Sequence, residues 1–153
     1  MSHLRNSAKA IIIRDGSILL TRNEDVSGLY YLFPGGGQEP GETLHDALRR
    51  ECREEIAAEI IIGPLRFIRE YIGAHHEFAE HDSDSHQIEF MFLCDVKEDY
   101  EPRHGHTPDT RQVAVEWVEL SRLHECAFYP KALIPYLVQA DFGNAPVYLG
   151  DVN

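Results

Sequence analysis

The sequence predicts an α/β protein in which a mixed β-sheet is covered by helices on both sides. Three observations carry this expectation: a series of short apolar runs with strand character, one long amphipathic helix after Thr43, and a closing helical segment near residues 128–142. The chain has 153 residues, 43% of them hydrophobic and 26% charged, enough to fill one core, so residues 1–153 are expected to form one domain.

Ala8 to Arg14 and Ser17 to Thr21 are apolar runs joined at Asp15-Gly16, a strong hairpin signal because both positions tolerate positive φ. Asn23 to Gly28 reads as a polar loop, and Leu29 to Phe33 as a short aromatic strand. Pro34-Gly35-Gly36-Gly37 breaks regular structure and permits close approach of the backbone to another group. Thr43 can then cap a helix, with Asp46 completing an Asp version of the capping box. Leu44, Ala47, Leu48, Cys52 and Ile56 recur at helical spacing, and the pattern stops near Ala57 or Ala58. Ile60 to Ile62 and Leu65 to Ile72 read as strand segments interrupted at Gly63-Pro64, followed by a hydrophilic loop from Gly73 to Ser85. Gln87 to Val96 is the clearest long strand, Glu98 to Asp109 a second loop, and Val113 to Leu120 a last strand. Phe128 to Phe142 reads as a closing helix, with Pro130 near its start and Pro135 awkwardly inside it.

Composition narrows the function classes. The apolar runs are too short to cross a bilayer, and Met1 to Lys9 has no signal-peptide character, so the default expectation is a cytoplasmic protein. Cys52, Cys94 and Cys126 are widely spaced, which suits reduced thiols better than a disulfide framework or a zinc site. The formal net charge of -12 argues against nucleic acid as a partner. It leaves room for a phosphorylated small molecule, since bound cations reverse a local field. Neither a GxGxxG fingerprint after a strand nor a GxxxxGK[ST] loop is present.

The most informative stretch is Gly35 to Ala58, GGGQEPGETLHDALRRECREEIAA. Glu51, Glu54 and Glu55 lie three and four positions apart, so their carboxylates share one helical surface. Like charges at these spacings destabilise a helix by roughly 0.2–0.5 kcal/mol per pair, and the macrodipole disfavours anions near its C-terminus. A solvated, salt-bridge-laced face is the plain alternative. The glycine loop shifts the balance, because backbone carbonyls beside carboxylates form the all-oxygen donor set that Mg²⁺ or Mn²⁺ prefers.

This segment resembles the Nudix hydrolase motif, G-x5-E-x7-R-E-U-x-E-E-x-G-U with U aliphatic, over residues 36–58. Gly36 stands at the first glycine, Glu42 at the first acid, Arg50-Glu51 at the RE pair and Glu54-Glu55 at the EE pair. Cys52 occupies the first aliphatic position, and Ala57 stands where the second glycine is usual. The runs Ile18 to Arg22 and Trp117 to Leu120 are similar to the family's flanks. The resemblance implies an α/β/α sandwich with a mixed sheet. It also implies Mg²⁺-dependent hydrolysis of a phosphoanhydride in a nucleoside diphosphate linked to another moiety, with Mn²⁺ as a substitute.

By the same resemblance, Gly35 (through its carbonyl), Glu51, Glu54 and Glu55 would hold metal, with Glu51 also placed to orient or deprotonate water. Arg50 would hold the neighbouring glutamate, and Glu42 would act in support of the site or of the helix dipole. A further acid would come from Glu98, Asp99, Glu101 or Asp109, with Asp109 favoured by its position before the last strand. Arg22 is a candidate phosphate contact, and Tyr31, Phe33, Tyr30 and Tyr71 are candidates for a base-stacking wall, each with an ordinary surface or core role as the alternative. His75, His76, His81 and His86 with Asp82 and Asp84 raise a second metal site against incidental surface histidines. Submotifs for ADP-ribose, dinucleoside polyphosphate or NADH substrates are absent, so triphosphates, nucleotide sugars and ADP-ribose all stay open. A non-catalytic nucleotide-sensing or protein-binding domain is the alternative function, and the resemblance also admits a homodimer.

Overall fold

The computed structural model describes residues 3–139 and 142–153. Strands β1 (His3–Arg14) and β2 (Ser17–Asp25) form the expected hairpin, with Asp15 at φ 51° and Gly16 at φ 77°. Strand β2 continues through the segment expected to be a loop and turns at Val26-Ser27 into β3 (Gly28–Leu32). The glycine run is also more ordered than its composition suggests. Gly35–Gly37 is strand β4, pairing antiparallel with Lys9, Ala8 and Ser7 of β1. An open strand edge supplies partners that override a local preference for turns.

Helix α1 (Leu44–Ile56) follows, with Thr43 as N-cap and both halves of the capping box formed with Asp46. Strand β5 (Ile61–Ile72) runs through Gly63-Pro64 as one strand, absorbing the irregularity as shifts in register against β6. The polar connection holds a 3₁₀ turn at Gly73–His75 and a short helix α2 (Ala79–Asp82) before β6 (Ser85–Asp95). Strand β7 (Gln112–Glu119) leads into a 3₁₀ helix at Leu120–Glu125. The closing helix is shorter than expected: a 3₁₀ turn at Lys131–Leu133 runs into α3 (Ile134–Gln139). Pro135 sits in the first turn of α3, where a missing N–H costs nothing. The expected continuation through Ala140 and Asp141 lies outside the described residues. A strand that the sequence did not announce, β8 (Tyr148–Asp151), pairs parallel with β5.

The sheet runs β3-β2-β1-β6-β5-β8, with β4 on β1 and β7 on β2. It is mixed: β1 and β6 are parallel, whereas β1/β2, β5/β6 and β2/β7 are antiparallel. Alternation along β1 divides the interior. Ala8, Ala10 and Ile12 pack with Leu48, Cys52 and Ile56 of α1, while Ile11 packs with Leu133 and Leu137 of the C-terminal layer. This is the expected α/β/α layering. No helix among the described residues is long and apolar enough to cross a membrane.

Candidate functional site

The site lies where β4 passes beside α1. A Cβ on Gly36 would stand 2.6 Å from the Glu51 carboxyl carbon, so a side chain here would push the Glu51 carboxylate out of its place against the strand. Glu55 reaches the same strand and accepts the Gly35 N–H at 2.8 Å. Arg50 gathers the remaining groups. Its guanidinium meets Glu42 through two bonds of 2.8 and 2.9 Å and donates to Glu51 at 3.0 Å, to Glu54 at 3.3 Å and to the Gly37 carbonyl at 2.9 Å. A planar fork with five donors suits this task; an ammonium would not. The hydrogen bond from Arg50, with the Glu39 N–H, holds the Glu42 carboxyl down at about 2, and Glu42 in turn raises the Arg50 pKa. Glu42 thus belongs to the support of the glutamate cluster.

Glu55 is the electrostatic anomaly. Burial, with smaller contributions from the charges of Glu51 and Asp109, pushes its carboxyl up to about 7 against the pull of Lys9 and the Gly35 N–H. Lys9 was not singled out by the sequence. It interrupts the apolar run of β1, and its Nζ donates to the carbonyls of Gly35 at 3.2 Å and Phe33 at 3.5 Å. A positive charge therefore already stands at the carbonyl expected to bind a cation.

The loop between β6 and β7 closes the C-terminal end of α1. The N–H groups of Thr107 and Gly105 donate to the carbonyls of Glu54 and Glu55, both at 3.0 Å. The Gln112 amide reaches the Glu55 carbonyl at 2.8 Å, the Tyr100 hydroxyl the Ile56 carbonyl at 2.7 Å, and Arg103 the Ala57 carbonyl at 3.4 Å. Ala57 itself caps the helix in the left-handed region, at φ 53° and ψ 37°. Among the loop acids weighed from the sequence, Asp109 is the one whose charge bears on Glu55. Asp99 instead lines a separate pocket of about 220 Å³ with Ala57, Tyr100 and Arg103.

The remaining candidates lie elsewhere. Arg22 pairs with Glu116 at 3.4 Å, and Tyr31, its cross-strand neighbour on β3, interacts with both. This group shares the sheet face of Leu20, opposite α1. Phe33 is a correction: it is 2% exposed and packs edge-to-face on Phe128, so it presents no face to a ligand. Tyr71 is likewise buried, stacked on His76 with its hydroxyl donating to Asp82. The histidine-rich loop is split between two partners: His75 and His76 both bond to Asp151, and His86 bonds to Glu70. Among the described residues no group of three His, Cys, Asp or Glu side chains is gathered in cation-holding geometry, Glu51 and Glu54 being engaged by Arg50.

Comparison with known proteins decides the family. The NUDIX domain model matches residues 3–137. The chain belongs to the Nudix family. This Nudix chain is 44% identical to the nucleoside triphosphatase NudI of Escherichia fergusonii over 55 residues, which is 34% of the chain and 39% of that relative. The match thus spans about two-fifths of the curated relative. A solved NUDIX hydrolase from Nitrosomonas europaea superposes with a TM-score of 0.72 at 20% identity, covering 100% of this chain and 81% of its own. A MutT NUDIX hydrolase from Burkholderia pseudomallei is 27% identical with a TM-score of 0.59, over 78% of this chain and 86% of its own. The family model and these likenesses together place the Nudix fold on the chain.

Proposed function

We propose that this Nudix protein is a metal-dependent pyrophosphohydrolase that cleaves a phosphoanhydride bond in a nucleoside diphosphate derivative, with nucleoside triphosphates the first substrates to test. The observation that carries the reading is the set of carboxylates where β4 passes α1: Glu51 and Glu54 held by Arg50, and Glu55, buried and raised to about 7, on the Gly35 N–H. A buried carboxylate next to other carboxylates is a poor structural choice and a good hard-cation ligand. The donor set fits Mg²⁺, with Mn²⁺ as substitute; Gly35, Glu54 and Glu55 would hold it and Glu51 would share it. A bound divalent cation would supply charge neutralisation and acidify the attacking water.

The protein's own groups divide the rest of the work. Glu51 or Asp109 takes the proton from water, a contribution of roughly 10²- to 10⁴-fold. Arg50 keeps Glu51 and Glu54 in orientation, and Lys9, which also donates to the Gly35 carbonyl, offsets the charge of Glu55. Arg22 and Tyr31, on the opposite sheet face, are assigned to a part of the nucleotide away from the phosphoanhydride at α1, with Arg22 leaving Glu116 for it. Residues 1–153 act as one domain in this reading.

The test is a panel of nucleoside triphosphates, nucleotide sugars and ADP-ribose with Mg²⁺ or Mn²⁺, products resolved by chromatography. The protein should release a nucleoside monophosphate from at least one class, and the variant carrying E54Q and E55Q should lose that activity at saturating Mg²⁺. Parental turnover in that variant refutes the metal assignment.

A further inference from the structure

A helix leaves its last carbonyls without partners inside the helix. At the end of α1 the carbonyls of Glu54, Glu55, Ile56 and Ala57 are all met by the loop between β6 and β7, through Thr107, Gly105, Tyr100 and Arg103, and by Gln112 at the start of β7. The fit is close: a Cβ on Gly105 would stand 2.2 Å from the Glu54 carbonyl oxygen. These donors also set positive dipoles at the end of the helix where its own dipole and the Glu54-Glu55 pair concentrate negative charge.

Among them, Gln112 is set apart by burial and by reach. It is 8% exposed, and its Nε2 spends both hydrogens inside the site, one on the Glu55 carbonyl and one on His104 Nδ1 at 3.0 Å. His104 therefore accepts at Nδ1. The other end of the amide, Oε1, is buried with no hydrogen-bond partner among the described residues. An orphan acceptor of this kind costs about 1–3 kcal/mol, so the side chain is not placed here for stability alone. Its main chain points the other way: the Gln112 N–H donates to the Asp109 carbonyl at 3.0 Å, and the Arg111 N–H to Asp109 Oδ1 at 3.0 Å. Asp109 is thus held in a turn anchored on Gln112, and Gln112 is anchored on Glu55.

We propose that Gln112 is a positioning residue that locks the loop bearing Asp109 onto the last turn of α1 and thereby sets where the Asp109 carboxylate stands. The proposal rests on the hydrolase reading above and deepens it. Gln112 touches no substrate and acts through Asp109 alone.

The test is a double-mutant cycle of Gln112→Met, which removes both donors and the orphan acceptor, with Asp109→Asn. Turnover is measured with Mg²⁺ on the fastest of the standard nucleoside triphosphates. Gln112→Met should lower kcat roughly tenfold with little change in KM, as expected when a catalytic group shifts by a fraction of an ångström. In the Asp109→Asn background the same substitution should cost nothing further, because the group it positions is already gone. Equal losses in both backgrounds overturn the proposal and leave Gln112 a structural residue. A parental kcat for Asp109→Asn removes both the loop-acid role and this proposal, while hydrolysis by the parent keeps the broader reading intact. Gly105→Ala disrupts the same clamp from its backbone side and should reproduce the Gln112→Met loss without adding to it. Amide hydrogen exchange needs no substrate: Gly105 and Thr107 should exchange faster in Gln112→Met, and unchanged protection sinks the clamp even if the parent hydrolyses nothing in the panel.

Discussion

Ala57 takes a left-handed conformation that costs an L-residue roughly 1–2 kcal/mol and costs glycine much less. The backbone at this helix end thus keeps the shape that the family motif's glycine would adopt, with a methyl group in place. Ala57→Gly should stabilise the protein by about 0.5–1 kcal/mol after allowing for the freer unfolded chain. Urea melts of the two proteins decide this, and a destabilised variant would mean that the Ala57 methyl packs more usefully than its φ suggests. Glu55 sets a second residue-scale expectation. Its folded pKa of about 7 stands above the ordinary 4.5, so between those values the folded state binds more protons than the unfolded one. Metal-free stability should therefore fall as pH rises through that window. Glu55→Gln should flatten the slope and raise metal-free stability above neutral pH by about 2–3 kcal/mol. Denaturant melts in chelator across the window measure this; a parent whose stability climbs there has an ionised, well-solvated Glu55.

At the scale of elements, α1 is held from both ends by different means. Its N-terminus depends on Thr43, whose hydroxyl accepts the Asp46 N–H at 3.0 Å, and Thr43→Ala should cost about 1 kcal/mol with little effect on kcat. A large kcat loss in that variant would show that the cap also sets the catalytic surface. This end was legible in the sequence, as were the β1/β2 turn and the carboxylate face, because capping, turn chemistry and helical spacing are local. Strand β4 was not legible, since its glycines signal a turn until β1 offers an edge to pair with. Nor was β8, whose partner β5 lies far away in the chain. The C-terminal clamp hides for a related reason. Two of its donors are backbone N–H groups, which carry no residue signature, and Gln112 reads in sequence only as a polar residue just before the last strand. Lys9 left a faint mark, a lone cation inside an apolar run.

For the whole molecule, the sheet separates two cores and also carries charge across its width. Arg69 of β5 and Glu89 of β6 form a buried pair, 8% and 7% exposed, and Arg69 continues to the Val152 carbonyl at 2.7 Å and Asn153 at 3.1 Å beyond β8. Arg69→Met should destabilise by about 3–5 kcal/mol by stranding Glu89, and adding Glu89→Leu should recover most of it. Thermal melts of the single and double variants test this; equal losses in both would assign the effect to the C-terminal strand and not to the pair.

The clamp on α1 also fixes an order of assembly. Gln112 and Glu55 are 57 residues apart, and Tyr100 and Ile56 are 44 apart. When α1 leaves the ribosome it carries its clustered glutamates with no cover on its final carbonyls, and loops this long close late. The hydrogen-bonded cover of the helix's last turn waits for strands β5 and β6 and the loop behind them. The chemistry is encoded early in the chain and completed near the end of folding, so a half-made protein holds the motif without a finished site.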